Sequence, residues 1–383
     1  MHATATRIDI HANFDTGNIQ VLDTTDPANL RLAIRPDSQS AHLQWFHFRA
    51  EGLTLGQQYT FVLGNASQSS YPNAWSGYQA VASVDGERWF RVPTHYDGQS
   101  LRFSTEAQGM AMSFAYFEPY REARHLALLE RARHVAGMQQ LAVGHSLEGR
   151  ALPLFRMGNG AAHKRKVWLI AQQHPGEHMA EWFMEGIVSA LEHAEPWTQA
   201  LQQQVELYLI LNMNPDGAFH GHLRTNAAGK DLNRAWQSAT PGETPEVHFA
   251  LEHMVHYGVD LFIDAHGDEE IPHVFTAACE GNPGYTPRIA RLEARFRQAL
   301  CEQTPDFQQA HGYTRDEPGQ ANMTLACNAI GQRFDCLSMT LEMPFKDHLD
   351  APNTRTGWSG ARSAQLAQDM LKVISTLAPL LRD

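Results

Sequence analysis

With 383 residues the chain exceeds one typical domain, and two are expected. Its apolar content of 43% and charged content of 19% describe an ordinary globular protein, and a formal net charge of −12 argues against nucleic acid or an anionic membrane surface as the main partner. No apolar run approaches the about 18 residues of a membrane span, and the opening MHATATRIDI has no apolar segment of the signal-peptide kind. Cys279, Cys301, Cys327 and Cys336 show no C-x-x-C spacing, so inert thiols and a cytoplasmic setting are expected.

Residues 1–117 read as an all-β domain. Short alternating runs recur at 7–12, 19–22, 30–34, 43–48, 59–63, 80–83, 89–92, 101–103 and 111–117, separated by turn residues such as Asp85-Gly86 and Asp97-Gly98. Runs at this spacing predict a small β-sandwich. It carries no cluster of ligands or nucleophiles, so a structural role, or the shaping of substrate access, is expected. The aromatic stretch 70–78, SYPNAWSGY, reads as a packed core corner, with a recognition loop as the alternative.

Residues 118–383 change character. A charged helical segment at 122–136 precedes strand-like runs at 141–145, 152–157, 167–171, 205–212, 261–265, 274–278 and 338–343. Helical segments at 181–193, 246–256, 287–302 and 363–380 alternate with them. Near-continuous apolar strands separated by helices predict an α/β domain: a mixed, mostly parallel sheet covered by helices on both faces.

The stretch around which this domain is organised is 172–186, QQHPGEHMAEWFMEG. It follows an apolar strand and turns through Pro175-Gly176 into helical periodicity. His174 and Glu177, three residues apart at that turn, can converge on one divalent metal. His174-Pro-Gly-Glu177-His178 also matches H-x-x-E-H, in which both histidines ligate from one helical face. Pro175 and Gly176 occupy the middle of that would-be turn, where Gly costs about 1 kcal/mol against Ala. The helix is therefore expected to begin near Glu177, with His178 off the metal.

Further polar groups sit at the ends of apolar runs, where an α/β sheet gathers a site. They are Asn214-Pro-Asp-Gly217, His266 in IDAHGD and Glu342 in SMTLEMPF, with Arg224 and Asp231-Leu-Asn233-Arg234 between them. A zinc hydrolase needs three protein ligands of the His₂Glu type, which His174, Glu177 and His266 supply. It needs a carboxylate off the metal to accept a proton from water, and Glu342 is the candidate. Arg224 is a candidate for meeting the developing oxyanion, and Asp231 for orienting a ligand histidine. Arg234 has the planar fork for a substrate carboxylate, with Asn233 adding a donor beside it. Plainer readings exist: His266 as a core histidine beside Asp264, Arg234 as a surface ion pair. Glu342 within an apolar run is harder to dismiss, because carboxylates are almost never fully buried unpaired.

Taken together, His174-Pro-Gly-Glu177, Asn214-Pro-Asp-Gly217, Arg224 with Asp231-Leu-Asn233-Arg234, Asp264-Ala-His266-Gly and Thr340-Leu-Glu342 resemble the zinc metallocarboxypeptidase family. The likeness is greatest to its cytosolic carboxypeptidase branch, as are VGHSLEGRAL at 143–152 and an all-β domain ahead of the catalytic one. The resemblance covers essentially the whole chain. It implies one zinc ion on His174, Glu177 and His266, with Glu342 as general base and acid. It also implies Arg224 as carbonyl polariser, Asn233 and Arg234 as carboxylate anchors, and Asp231 behind His174. Secreted digestive members place a tyrosine ahead of the catalytic Glu to cap the substrate terminus; here the nearest upstream tyrosine is Tyr313, 29 residues before Glu342. Members acting on glutamate tails should carry a basic residue in the side-chain pocket, for which Arg315, Arg333 and Lys230 are candidates.

The expected activity is hydrolysis of the C-terminal peptide bond of a peptide or protein, with removal of C-terminal or side-chain glutamates as the finer expectation. One rival is a zinc deacylase acting on small N-acyl amino acids. Another is a binding module that kept the fold and lost the chemistry. The intact Asn214–Arg234 segment, and an N-terminal domain large enough to shape access for a polymer, favour peptides. All three ligands together with Glu342 argue against the binding module.

Overall fold

The computed structural model describes residues 8–383. Arg7, where the first expected strand begins, lies outside the described residues. Ten strands fill the N-terminal domain: β1 (Asp9–His11), β2 (Gln20–Asp23), β3 (Leu30–Ala33), β4 (His47–Glu51), β5 (Gln58–Leu63), β6 (Val81–Ser83), β7 (Phe90–Arg91), β8 (Thr94–Tyr96), β9 (Leu101–Glu106) and β10 (Ala111–Ala115). They form two five-stranded sheets, ordered β1-β4-β10-β6-β7 and β2-β3-β5-β9-β8. Strict alternation puts Leu101, Phe103 and Thr105 of β9 inward and their neighbours outward. Phe48 and Phe114 of the first sheet meet Phe61 and Phe103 of the second, with ring centroids 4.4–6.3 Å apart, so aromatic rings fill the space between the sheets. The run at 43–48 pairs only from His47 onward, and β8, three residues after Pro93, is too short to show a period in sequence.

Beyond α1 (Glu122–His134), seven strands build one mixed sheet: β11 (Met138–His145), β12 (Ala151–Met157), β13 (Arg165–Ala171), β14 (Val205–Ile210), β15 (Leu261–Asp268), β16 (Phe275–Ala278) and β17 (Leu337–Pro344). Their order is β11-β12-β14-β13-β15-β17-β16. The four central strands, β14, β13, β15 and β17, run parallel; the pairings at the two edges are antiparallel. The remaining helices are α2 (His178–Glu192), α3 (Pro196–Gln204), α4 (Pro215–His220), α5 (Pro245–Tyr257), α6 (Pro287–Gln303), α7 (Ala326–Phe334) and α8 (Gly360–Leu377). Strand β13 shows why both faces are covered. Val167, Leu169 and Ala171 join the core under α2 and α8, while Trp168 and Ile170 join the core under α5 and α7. Gly186 lets α2 and α8 touch, since a Cβ there would overlap the backbone of Ala364. Helices α3, α4 and α7 span nine, six and nine residues, too few for a 3.6-residue period to stand out in sequence.

The two domains share an interface of packed rings and hydrogen-bonded charged groups. Tyr116 stacks on Phe345 with ring centroids 4.4 Å apart, and Trp45 lies against His178 at 4.3 Å. The Asp37 carboxylate accepts from the backbone N–H groups of Leu223, Arg224 and Thr225 at 2.6–2.9 Å. Arg91, 8% exposed, donates to the carbonyls of Gln79, Phe345, Thr356 and Trp358 at 2.5–3.3 Å. Gly357 (φ 63°) sits beneath that guanidinium, where a Cβ would fall 2.6 Å from Nε. Arg91→Ala would leave these carbonyls buried without a donor. A loss of about 2–4 kcal/mol is expected, read as a lower midpoint in urea unfolding; an unchanged midpoint would mean that the interface does not depend on this residue.

Candidate metal centre and cleft

The C-terminal ends of the parallel strands gather the polar motifs. Strand β13 ends at Ala171, and Gln172, at φ 58°, turns the chain sharply out of the sheet. Gly176 then passes so close to the 222–225 loop that a Cβ would lie 2.9 Å from the Leu223 carbonyl oxygen. This tight path delivers His174 and Glu177 to one side of the sheet before α2 begins at His178. Strand β15 runs three residues past its expected end, carrying His266 inside the ladder, paired in register with Glu342 of β17.

His174, Glu177 and His266 converge. Glu177 Oε1 lies 2.7 Å from His174 Nδ1, Glu177 Oε2 lies 2.8 Å from His266 Nδ1, and the two Nδ1 atoms are 3.2 Å apart. All three are buried, at 5%, 3% and 1% exposure. Burial pushes the Glu177 carboxyl up, but the two imidazoles outweigh it and bring the group down to about 2. Two imidazole nitrogens and a carboxylate facing one another at these separations form the His₂Glu donor set of a divalent cation. Nitrogens around tetrahedral zinc, bound at about 2.0–2.1 Å, stand roughly 3.3 Å apart, close to the spacing here.

Each histidine is braced from behind. His174 Nε2 meets Asp231 Oδ1 at 3.0 Å, and His266 Nε2 meets Asp264 Oδ2 at 2.8 Å. Asp264 in turn accepts from Gln173 Nε2 at 2.5 Å, and Gln173 accepts from Trp236 Nε1 at 2.7 Å. Asp264 escaped the sequence reading as a brace, although residues two apart on a strand point to the same face and so give the signal. His178 lies elsewhere: it is fully buried, accepts from Tyr120 N at 3.0 Å, and burial pulls its imidazole down to about 3.

Glu342 is 6% exposed and bonds to no ligand residue. Its Oε1 accepts from the Tyr313 hydroxyl at 3.2 Å, and its Oε2 is buried without a partner. Burial pushes its carboxyl well up; His266 opposes this, while Glu177, Asp268 and Glu269 add to it. The Tyr313 oxygen also lies 2.7 Å from Asp268 Oδ2, so its one hydrogen is shared between the two carboxylates, and the loop after α6 brings this tyrosine to the site despite its 29-residue separation from Glu342.

These groups open into a cleft of about 750 Å³. Arg224, Asn233 and Arg234 line it. Arg224 donates from Nε to Asp231 Oδ2 at 2.8 Å and from Nη1 to the Tyr71 hydroxyl at 2.5 Å. Asn233 Oδ1 accepts from Ala326 N at 2.8 Å, which turns its amide nitrogen away from the backbone and leaves it for other acceptors. Arg234, with a side chain 46% exposed, is held by its Nη1 bond to the Asn233 carbonyl at 2.8 Å. Of the three basic candidates for the side-chain pocket, Arg315 lines the cleft, whereas Lys230 pairs with Glu243 at 2.9 Å on the surface and Arg333 is exposed on α7. Arg297, which the sequence did not single out, also lines it. Arg315 and Arg297 both face carboxylates: Arg315 lies 3.4 Å from Glu280 and 3.1 Å from Glu293, and Arg297 lies 3.2 Å from Glu293. The aromatic stretch 70–78 divides its labour, with Trp75 and Tyr78 buried in the N-terminal core and Tyr71 facing the cleft.

The other sequence motifs act as scaffold. Asn214 caps α4 through Gly217 N at 3.1 Å and donates to the Gln173 carbonyl at 2.9 Å, steadying the loop ahead of His174. Ser146, in the 143–152 segment, donates to Asp216 at 2.7 Å. A second grouping, His273, His348 and Asp350, is satisfied internally. His273 bonds Asp350 at 3.0 Å, and both ring nitrogens of His348 are engaged, by the Asp306 carbonyl at 2.6 Å and the Asp350 N–H at 3.2 Å.

Comparison with known proteins shows the family. A family model for the cytosolic carboxypeptidase N-terminal domain matches residues 10–117, and one for zinc carboxypeptidase matches residues 129–347. A metallo-carboxypeptidase from Pseudomonas aeruginosa, solved in complex with (2-guanidinoethylmercapto)succinic acid, is 57% identical; the match covers 98% of this chain and all of that one, with a TM-score of 0.96. A metallo-carboxypeptidase from Burkholderia cenocepacia is 41% identical over 96% of this chain and 98% of its own, with a TM-score of 0.94. Human cytosolic carboxypeptidase 6 is 24% identical over 77% of this chain, which spans 63% of the human protein's length. The chain is therefore a metallocarboxypeptidase of the zinc carboxypeptidase family, in its cytosolic carboxypeptidase branch.

Proposed function

We propose that this enzyme removes single residues from the C-terminus of peptides or proteins, with one zinc ion held by His174, Glu177 and His266. The observation that carries the proposal is the convergence of those three side chains beside a carboxylate, Glu342, that none of them engages. A bound zinc ion would polarise the scissile carbonyl and ease deprotonation of water. Glu342 takes the proton of the attacking water and passes it to the departing amine; its Oε2, buried without a partner, leaves it an oxygen for that water. Arg224 meets the charge that grows on the carbonyl oxygen. Arg234 and the free amide nitrogen of Asn233 hold the terminal carboxylate, which confines cleavage to the last peptide bond. Tyr313, within reach of Glu342, closes over the terminal residue. Asp231 and Asp264 fix the ring orientation of the two histidine ligands.

The division into a sandwich at 1–117 and a catalytic domain at 118–383 belongs to the same proposal, supported by β10 ending at Ala115 and α1 beginning at Glu122. So does a cytoplasmic setting, supported by four unpaired cysteines and by relatives named cytosolic carboxypeptidases. Among the described residues no helix is long and apolar enough to cross a membrane. A preference for terminal glutamate rests on Arg297 and Arg315 in the cleft, with the buried Arg297 Nε lacking a partner. Glu280, also in the cleft, opposes it.

Glu342→Gln should lower kcat by roughly 10²–10⁴ while zinc content by metal analysis stays at the wild-type level. Near-wild-type turnover would reject the role. Asp264→Asn should weaken zinc binding by about 10–100-fold in competition with a chromogenic chelator; unaltered affinity would reduce Asp264 to a packing residue. Peptides ending in Glu, Lys or Leu, run beside N-acyl amino acids, test the substrate. The highest kcat/KM is expected for the peptide ending in Glu; a preference for Leu removes the glutamate reading, and turnover of N-acyl amino acids alone removes the peptidase one.

A further inference from the structure

The loops that shape the cleft come from both domains, and from the N-terminal domain Tyr71 lines it. Its position is built. Gln44, fully buried, grips the Tyr71 backbone from both sides, accepting from its N–H at 2.8 Å and donating to its carbonyl at 3.2 Å. The preceding residue, Ser70, is tied to Leu43 by a backbone bond at 2.9 Å and by its hydroxyl at 3.1 Å. The 3₁₀ turn that follows, Pro72–Trp75, drives Trp75 into the sandwich core, where it is 1% exposed. The Tyr71 backbone is thus held independently of Arg224.

That partner is Arg224. An arginine has only donors, so in the 2.5 Å contact the phenol oxygen accepts from Nη1. On its other edge the guanidinium donates from Nε to Asp231 at 2.8 Å. Its backbone is fixed as well, because Asp37 of the N-terminal domain accepts from Arg224 N at 2.9 Å. A flexible arginine side chain loses rotamer freedom when pinned, and here two partners hold it before any substrate arrives. The phenol's own hydrogen is left free. Asn233, Arg234, Arg224 and Tyr71 line one cleft with the three ligand side chains.

We propose that Tyr71 of the N-terminal domain is a positioning residue of the catalytic site, holding the Arg224 guanidinium where the oxyanion forms. The N-terminal domain therefore completes the active site. This inference rests on the functional reading above, in which Arg224 meets the oxyanion.

The test is Tyr71→Phe, which keeps the ring and its packing and removes only the oxygen. On a peptide substrate, kcat should fall about tenfold with KM within twofold of wild type, less than the roughly 10²–10³-fold loss on removing an oxyanion donor outright. A tetrahedral phosphonate peptide should bind about tenfold more weakly, while a succinate-type ligand that offers only the terminal carboxylate should bind as before. In an Arg224→Ala background, Tyr71→Phe should cost nothing further, because there is no guanidinium left to place. An active wild type with undiminished kcat in Tyr71→Phe overturns this inference alone. So does a loss that multiplies with Arg224→Ala, or one confined to KM. A wild-type enzyme that turns over no peptide overturns the functional reading and this one together. An unchanged thermal midpoint for Tyr71→Phe assigns the loss to the site and not to the fold.

Discussion

Two imidazole nitrogens and a carboxylate are forced within about a hydrogen bond's length of each other in a pocket that water barely reaches. Such a grouping is costly to assemble unless a cation balances it, and its cost explains much of the surrounding backbone. Gln172 adopts a left-handed conformation that a side chain of its size seldom takes, so that the chain leaves β13 at the required angle. Gly176 has no room for a side chain against Leu223. The register between β15 and β17 sets His266 beside Glu342, and a slip of one residue would put the two on opposite faces of the sheet.

Charge is arranged around that centre in layers. Nearest are carboxylates: Glu177 between the imidazoles, Glu342 and Asp268 under Tyr313, and Glu269 buried next to them with its carboxyl pushed well up by burial and by Glu177 and Asp268. Farther out come Arg224 and Arg234 on the loop whose Asp231 ties Arg224 to His174. Asp231 is the hinge of this arrangement, touching a ligand histidine with one oxygen and an arginine with the other. The division of labour is physical. In the proposed mechanism carboxylates hold the metal and manage protons, and arginines meet the negative charge carried by, or developing on, the substrate.

The N-terminal sandwich is joined to this site by contacts that are specific as well as apolar. Asp37 collects three backbone N–H groups of the loop that carries Arg224, and Arg91 satisfies carbonyls near the end of β17 and before α8. A buried carboxylate and a buried guanidinium of this kind tolerate little displacement, since any shift leaves a charge without partners. The two domains are therefore set at one relative position. That position determines where Tyr71 stands and how wide the cleft is.

The strand-to-helix turn at 172–186, the His₂Glu set and Glu342 were legible in the chain because their chemistry is written in residue type and local spacing, and because carboxylates and histidines at strand ends are conspicuous against apolar runs. The sandwich and the α/β sheet were legible for a like reason: periods of 2 and 3.6 survive in sequence when an element is long enough. Short helices such as α4 and α7 fell below that limit. What the chain could not announce were partners that meet only across the fold. Asp264 shares its strand with His266, yet its role as a brace depends on Gln173 and Trp236 arriving from elsewhere. Tyr313 reaches Glu342 across 29 residues through a loop without periodicity, Arg297 turns toward the cleft from the middle of a helix, and Tyr71 comes from the other domain altogether. Residue type and local pattern are properties of a chain; the distance between two side chains far apart along it is decided by how sheets, helices and domains pack, and that packing alone fixed which tyrosines and which arginines line the cleft.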